Sequence, residues 1–374
     1  MNFDRLTEFL DWVVAEKGVP GVDLALSSHG NVIYRYMTGY RDRERNLPVT
    51  NNTSYYLFSC SKVITCIAAL QLFEQGKFLM TDWVSDYLPE FASMTVQTAQ
   101  GIRAAQNHIT MKDLFTMTAG LSYDLVSPSI RETYEKTNGF ATTREIVSAI
   151  AKEPLLFEPG TYWSYGLEHD VLGAVIESIS GESLGEYMEN HIFRPLGMDH
   201  TGFRAKAPET MAVLYKRDEA TGEVAPFLPG NEYILSQNYE SGGAGLISTT
   251  DDYLKFSQML ARGGTTEDGT RLIAQNTLHL MRTNHLDSAQ QKGFNWGHFG
   301  GYGYGLGVRT LVDRSITGAL SPIGEFGWQG AAGSYMFIDM ENELTVQYSQ
   351  HMLNSLEPFI HPRLRNIIYT ALEY

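Results

Sequence analysis

Basic residues, cysteines and long apolar runs are all scarce in this sequence of 374 residues. Its 28 lysines and arginines face 43 acidic residues, and the net charge of −15 argues against binding to nucleic acids or anionic membranes, because both require basic patches. No apolar run is long enough to cross a bilayer. The N-terminal segment carries charges among amphipathically spaced apolar residues, which predicts a surface helix and not a signal peptide.

The few cysteines and histidines argue against a disulfide and against a metal site. Cys60 and Cys66 are the only cysteines, and on one predicted helix they would lie about 9 Å apart, too far for a disulfide. A reducing, cytoplasmic location is the simplest interpretation. The ten histidines include no His-Glu-x-x-His, and neither their spacing nor the cysteines indicate a zinc site, so we expect no metal and no cofactor.

Periodicity divides the sequence into three regions. After the first helix, residues 22–40 are typical of two strands joined at His29-Gly30-Asn31. From about residue 81 to 284 the pattern is mainly helical, with Thr or Ser at the expected N-caps. An aperiodic stretch near 204–237 predicts a long loop within this region. The last region returns to strands and closes with a helix from about residue 356 to 372.

Strands at both ends of the chain predict a composite fold. The two end segments would form one antiparallel sheet, flanked by the first and last helices, so that the termini meet. We therefore expect an α/β lobe from residues 1–80 together with 296–374, and a mainly helical lobe from residues 81–295 that includes the loop near 204–237. A cleft between two lobes is the default place for a functional site.

The stretch FSCSKVIT, residues 58–65, places a lysine where a buried helix should begin. A helix N-terminus and an apolar environment both disfavour an ammonium group, so Lys62 needs an explanation. Ser59 lies one turn earlier on the same face. Burial would lower the pKa of Lys62, and its neutral amine could take the serine proton, while the free N–H of Ser59 could donate to an oxyanion. Because Ser-x-x-Lys also occurs by chance, the motif alone does not establish a nucleophile.

Further motifs add a family resemblance. FSCSKVIT resembles the nucleophile motif of the penicillin-recognising serine enzymes, which are the serine β-lactamases, the penicillin-binding proteins and their esterase relatives. EPGTYWSYGLEHDVLGAVIE (158–177) resembles the segment with that family's second motif, usually Tyr-x-Asn. SGGAGLISTTDDYLKFSQML (241–260) and GYGYGLGV (301–308) are similar to stretches of its class C-like branch, and GWQGAAGSYMFID (327–339) falls where the family has Lys-Thr-Gly on an edge strand. The resemblance implies a β-lactamase/transpeptidase-like fold.

The resemblance also implies roles for individual residues. Ser59 would be the acylated nucleophile, Lys62 its proton partner, and Tyr165, at the tyrosine position of the second motif, a proton relay. The backbone N–H groups of Ser59 and Ala331 would form the oxyanion hole, and such a donor is worth about 3 kcal/mol in acyl transfer. Gly330 is expected to contact the substrate beside Ala331.

Two departures from the family pattern indicate the substrate. Leu167 stands where the second motif normally has Asn, and Trp328 stands where the third normally has the Lys that holds the carboxylate of penicillins and D-Ala-D-Ala peptides. Losing such a charge-assisted hydrogen bond costs about 1.5–3 kcal/mol. Tryptophan would present an apolar wall to a neutral group instead. The pattern therefore looks most like the carboxylesterases of the superfamily, of the family VIII type, which share their fold with an acyltransferase that acylates polyketide alcohols.

Other interpretations stay open at the level of sequence. A β-lactamase or D-amino-acid peptidase would need another cation for the substrate carboxylate, and Arg309 is one candidate. A decayed, non-catalytic ligand-binding member of the fold is a second alternative. His169, one helical turn after Tyr165, could face the cleft and bind substrate, although a structural or rim role is favoured. A small-molecule ester is the expected partner, with no nucleic acid and no membrane, and the sequence predicts no oligomeric state.

Overall fold

The computed structural model describes residues 1–372, which contain the following helices and strands. The α-helices are α1 (Asp4–Lys17), α2 (Ser61–Glu74), α3 (Met111–Thr116), α4 (Pro128–Lys136), α5 (Thr143–Ile150), α6 (Glu168–Ser180), α7 (Leu184–Met188), α8 (Arg194–Leu196), α9 (Thr250–Ala261), α10 (Gln275–Met281), α11 (Arg314–Thr317) and α12 (Glu357–Leu372). The strands are β1 (Gly21–Ser28), β2 (Asn31–Asp42), β3 (Leu47–Pro48), β4 (Ser54–Tyr56), β5 (Thr95–Thr98), β6 (Gly101–Ala104), β7 (Tyr215–Arg217), β8 (Val224–Pro226), β9 (Ile247–Thr249), β10 (Tyr302–Tyr304), β11 (Arg309–Leu311), β12 (Phe326–Gln329), β13 (Tyr335–Asp339), β14 (Leu344–Gln350) and β15 (Met352–Leu353).

One antiparallel sheet joins the two ends of the described chain. Its eight strands follow the order β10-β11-β12-β13-β14-β1-β2-β3. Strands β1 and β14 pair in the centre, with the register running from Val22 opposite Gln350 to Ser28 opposite Leu344. Helices α1 and α12 pack on one face of this sheet through a shared apolar cluster that includes Leu6, Leu10, Val13, Ile360, Leu364 and Ile368. The predicted sheet from both chain ends, with its flanking helices, is therefore confirmed.

Helix α2 forms the centre of the second, larger core. Every residue from Ser61 to Leu72 is buried, as the nearly continuous apolar pattern predicted. The helix ends at Glu74, and Gly76 follows in the left-handed conformation (φ 68°) that commonly stops a helix. Buried α6 packs beside α2, and the second motif lies directly before α6.

The middle of the chain is mainly helical, with two differences from the sequence prediction. Thr110, Thr142 and Thr249 cap α3, α5 and α9 as expected. However, β5 and β6 form a hairpin within the expected helical region, and the loop near 204–237 contains the hairpin β7–β8, which pairs in parallel with β15. Strands of three or four residues are too short to show a clear period, so these hairpins were not predicted from the sequence. The division into lobes at residues 80 and 295 stays a prediction.

Within residues 1–372, no helix is both long and apolar enough to span a membrane.

Candidate active site

Ser59 lies in a strained turn at the entrance to α2. Residues 58–60 form a 3₁₀ turn that leads directly into the helix, so the first backbone N–H groups of the turn are left without intrahelical partners. Phe58 adopts φ 47°, a conformation that is unusual for a bulky residue and costs about 1–3 kcal/mol. Its ring packs edge-on against Tyr233 at 6.0 Å between centroids, which helps to hold the turn. The packing therefore fixes the conformation that presents Ser59.

Lys62 is fully buried one turn after Ser59 and has three hydrogen-bonding partners. Its Nζ donates to the carbonyl of Gly243 at 2.8 Å and to the Tyr123 hydroxyl at 3.2 Å, and it lies 3.5 Å from Ser59 Oγ. Burial lowers the pKa of Lys62 to about 8, although the carboxyl groups of Asp170 and Glu168 raise it. A neutral amine has two N–H donors and one lone pair, so deprotonated Lys62 can keep two donors satisfied and accept from Ser59.

A buried polar network around Asp170 holds the Gly243 carbonyl, which accepts a hydrogen bond from Lys62, in place. The carboxylate of Asp170 accepts hydrogen bonds from the hydroxyls of Tyr239 and Ser241 and from the backbone N–H of Gly243 at 3.3 Å. A Cβ at position 243 would lie 2.4 Å from Asp170 Oδ2, so only glycine permits this approach. Asp170 therefore fixes the Gly243 carbonyl that receives the Lys62 ammonium.

Tyr165 stands on the other side of Ser59 and receives a hydrogen bond from Trp328. The indole Nε1–H of Trp328 donates to the Tyr165 hydroxyl at 3.0 Å, and the two rings stack at 5.7 Å. Burial raises the pKa of Tyr165 well above its ordinary value, while hydrogen bonds with Ser59 and Trp328 lower it. The resting side chain is therefore a neutral phenol. Lys62 Nζ lies 4.6 Å from the centroid of its ring.

The end of β12 forms the opposite wall of the site. Strand β11 pairs with β12 only at Phe326 and Gly327, so Trp328 and Gln329 have one strand neighbour and the strand is open at this end. Gly330 donates its N–H to Ser334 O at 2.8 Å, and Ser334 Oγ donates to Leu57 O at 3.0 Å, which ties the strand end to the turn of Ser59. A Cβ at Gly330 would meet Leu57 O at 2.2 Å, so the two backbones are in close contact. This contact brings Ala331 to the cavity that contains Ser59.

These residues enclose a small cavity of about 200 Å³. Five of its lining side chains are aromatic, namely Tyr123, Tyr165, Tyr233, Trp296 and Trp328. Ser59, Gln329, Gly330, Ala331 and Glu357 complete the lining. Larger cavities of about 760 and 690 Å³ lie at the surface around Glu182 and Arg204, but none of the predicted site residues lines them. The small cavity is therefore the candidate active site.

Several predicted substrate contacts require correction. Leu167 lines a different cavity, beside Leu121 and Ile130, and His169 is fully buried with its Nε2 facing Phe115 O and Cys66 Sγ. Burial lowers the pKa of His169 to about 3, as expected for a neutral core histidine. Helix α6 starts at Glu168, directly after the segment that carries Tyr165. The side chains of Leu167 and His169 therefore point into the protein interior and not into the cavity that Tyr165 lines. Arg309 is 1% exposed and paired with Glu325 at 3.0 Å, so it is no binding group for a substrate carboxylate.

Trp328 lines the cavity, and its contact with a substrate stays a prediction. Only 1% of it is exposed, because Phe299 and Tyr304 pack against the ring in addition to Tyr165. Its N–H is already used by Tyr165, so the residue supports the tyrosine more than it faces a substrate. Gly330 also lines the cavity, and its contact with a substrate stays a prediction.

Sequence reasoning missed Trp296, Gln329, Glu357 and the Asp170 network. One signal was present, since Glu168 and Asp170 are charged residues in the first turn of an otherwise buried helix. The sequence also contains Gly-x-Ser-x-Gly at residues 181–185, the pattern of the α/β-hydrolase nucleophile. Here Ser183 has another role, because it caps α7 in a reciprocal capping box with Glu186.

Comparison with known proteins gives one family match over nearly the whole chain. The family model described as Beta-lactamase matches residues 5–366. Esterase EstB from Burkholderia gladioli is 29% identical over 366 residues, which cover 91% of this chain and 88% of the esterase. ML-236A carboxylate methylbutanoyltransferase mlcH from Penicillium citrinum is 30% identical over 296 residues, which cover 75% of this chain and 69% of the transferase.

A solved structure shares the fold over the same length. EstCE1, described as a hydrolase with promiscuous acyltransferase activity, superimposes with a TM-score of 0.81 at 28% identity and covers 98% of this chain and 97% of its own. The sheet with its flanking helices is thus the β-lactamase/transpeptidase-like fold that the motifs predicted.

Proposed function

Because this chain belongs to the beta-lactamase family, we propose that it is a serine carboxylesterase that cleaves uncharged esters through an acyl-enzyme on Ser59. The observation that carries the proposal is the position of Lys62. Its amine is buried 3.5 Å from Ser59 Oγ, and burial lowers its pKa to about 8, so a useful fraction is neutral near physiological pH.

In the proposed acylation step, neutral Lys62 takes the proton of Ser59 while Oγ attacks the ester carbonyl. The backbone N–H groups of Ser59 and Ala331 stabilise the oxyanion of the tetrahedral intermediate. When the ester C–O bond breaks, the leaving alkoxide needs a proton. Tyr165 gives its phenol proton to the alkoxide and regains one from the Lys62 ammonium, and Trp328 stabilises the transient negative charge on the phenol oxygen by its N–H.

The second half-reaction releases the acyl group from Ser59. A water molecule attacks the acyl-enzyme, passes its proton to the same Lys62–Tyr165 pair, and leaves a carboxylic acid and free Ser59. An alcohol in place of water would produce a new ester. The five aromatic side chains that line the cavity favour an organic alcohol over bulk water, and acyl transfer is named for both mlcH and EstCE1. We therefore include transfer to alcohols in the proposal.

The lining of the cavity supports neutral esters over carboxylate-bearing lactams or peptides. Among the described residues that line it there is no Lys, Arg or His, and Glu357 is acidic. Position 328 carries an indole whose donor is already occupied by Tyr165. A substrate carboxylate would enter this cavity without a charged partner, which is costly in a poorly hydrated site.

Initial rates on p-nitrophenyl acetate, butyrate and octanoate, measured beside a chromogenic cephalosporin, test the proposal. We expect rapid turnover of the short esters, little cephalosporin cleavage, and loss of ester turnover in Ser59→Ala. Ser122→Ala is the matched control, because Ser122 is half-buried and lines another cavity. Equal ester cleavage by wild type and Ser59→Ala would exclude Ser59 as the nucleophile, and preferential cephalosporin cleavage would favour a β-lactamase.

A cytoplasmic location is part of the same proposal. Cys60 and Cys66 are both free and buried, as suits a reducing compartment. Fractionation of the native host cells, followed by ester assay of each fraction, tests it; activity outside the cytoplasmic fraction would contradict it.

A further inference from the structure

Glu357 is the one acidic side chain among the described residues that line the active-site cavity. It begins α12, is half-buried, and lies beside Gln329 and Ser355, the latter with its hydroxyl 3.5 Å from the carboxyl. No basic side chain shares the lining. Burial raises the pKa of Glu357 to about 7, and the hydrogen bonds from Gln329 and Ser355 only partly offset this. A cation in the cavity would compensate this carboxylate.

The aromatic wall of the cavity offers further attraction for a cation. Tyr233, Tyr123, Tyr165 and Trp296 form a row, in which Tyr123 and Tyr165 stack at 5.5 Å and each end ring stands edge-on to its neighbour. Lys62 already lies over the two central rings, at 5.4 and 4.6 Å from their centroids. The end rings, Tyr233 and Trp296, are half-exposed, and no cation of residues 1–372 lies over them as Lys62 lies over the central rings. Aromatic faces of this kind bind substituted ammonium groups.

We propose that this cavity binds a substituted ammonium group of the ester substrate between its aromatic wall and the carboxylate of Glu357. Beside the uncharged esters of the proposed function, the site then also accepts, and prefers, esters of amino alcohols or other small esters that carry a tertiary or quaternary ammonium. The inference rests on the proposed function, since it assigns a substrate class to the ester-cleaving site around Ser59. A cavity of about 200 Å³ admits a compact group such as trimethylammonium together with a short acyl chain.

A pair of isosteric substrates isolates the contribution of the charge. Acetylcholine carries a trimethylammonium group where 3,3-dimethylbutyl acetate carries a neutral tert-butyl group of nearly the same shape. We expect wild-type kcat/KM to be about tenfold or more higher for acetylcholine. In Glu357→Gln the ratio of the two kcat/KM values should fall about tenfold towards one. Glu219→Gln, at an exposed acidic residue that does not line the cavity, is the matched control and should keep the wild-type ratio.

Two outcomes overturn the inference while leaving the proposed function in place. These are a wild-type ratio near one with normal p-nitrophenyl acetate hydrolysis, and a ratio that Glu357→Gln leaves unchanged. If Glu357→Gln does not fold, competitive inhibition of wild-type p-nitrophenyl acetate hydrolysis by tetramethylammonium chloride, compared with tert-butanol, replaces it. Equal inhibition by both compounds would overturn the inference.

Calorimetry on Ser59→Ala separates the two proposals. Binding of tetramethylammonium chloride to this variant does not depend on ester cleavage, so it supports the cation site even if the wild type hydrolyses no ester. Absence of binding there would contradict the inference, whereas absence of Ser59-dependent hydrolysis would contradict the proposed function.

Discussion

Trp328 donates its indole N–H to the hydroxyl of Tyr165 at 3.0 Å. Tyr165, the proposed proton relay, is thus hydrogen-bonded by a neutral donor that lies at the open end of β12. The stacking of the two rings fixes the direction of this hydrogen bond. Because burial alone raises the pKa of Tyr165 well above its ordinary value, the donor is needed whenever negative charge develops on the phenol oxygen.

Trp328→Phe should lower kcat for p-nitrophenyl acetate about 10- to 100-fold. The change keeps an aromatic ring but removes the donor to the phenol oxygen, and a hydrogen bond to a charged group contributes about 1.5–3 kcal/mol. Steady-state kinetics at saturating substrate measure it. Trp296→Phe is the control, since Trp296 lines the same cavity and stands edge-on to Tyr165 without donating to it. A larger loss in the control than in Trp328→Phe would contradict the assigned role.

The pH profile of kcat/KM should report the buried lysine. Only neutral Lys62 can take a proton, and its pKa is lowered to about 8, so the rate should rise with pH through about 8 and then level off. Lys62→Met should abolish both the activity and this titration. Lys77→Met, at an exposed lysine just after α2, should leave both the activity and the titration unchanged. A profile that is flat between pH 6 and 9 in the wild type would exclude Lys62 as the base.

Asp170→Asn should move that titration to lower pH. The negative charge of Asp170 raises the pKa of Lys62, so its removal should lower the apparent pKa while the amide keeps the shape of the side chain. Glu168→Gln is the comparison variant. Its carboxyl also raises the pKa of Lys62, but less than Asp170 does, so its replacement should move the profile in the same direction by a smaller amount. An unshifted profile in Asp170→Asn would contradict the coupling.

Gly330→Ala should displace the backbone N–H groups that are proposed to bind the oxyanion. The added Cβ would lie 2.2 Å from Leu57 O and must push the strand end away from the turn of Ser59. We expect a fall in kcat of at least about tenfold and a loss of about 1–3 kcal/mol in the free energy of unfolding, measured by urea denaturation. Gly297→Ala meets nothing within 4 Å and should behave as wild type. Full activity in Gly330→Ala would show that this contact does not position the oxyanion donors.

Much of the fold followed from periodicity and turn residues. The sheet from both chain ends, the amphipathic α1, and the wholly buried α2 were predicted because long elements leave a clear pattern. The hairpins β5–β6 and β7–β8 were not, since each strand has only three or four residues. The two strands of each hairpin pair with each other, and β7 also pairs with β15 more than a hundred residues later, which no local pattern indicates.

The site was predictable only where a motif marks it. Ser59, Lys62 and Tyr165 were found through short-range spacing and resemblance, and the structure brings them together. Leu167 and His169 follow Tyr165 closely in the sequence, yet the start of α6 turns them away from the cavity, so nearness along the chain was misleading. Glu357 reaches the cavity from the start of α12, and Trp296 reaches it from a loop elsewhere in the chain. No local sequence pattern indicates that either residue belongs to the site.

The most direct measurement is covalent labelling of the wild type with a fluorophosphonate, followed by peptide mapping by mass spectrometry. Such a probe phosphonylates an activated serine and requires the oxyanion donors as well as the base. We predict a single adduct on Ser59 in the wild type, none in Ser59→Ala, and strongly slowed labelling in Lys62→Met. A wild type that stays unlabelled, or an adduct on another serine such as Ser183, would contradict Ser59 as the activated nucleophile.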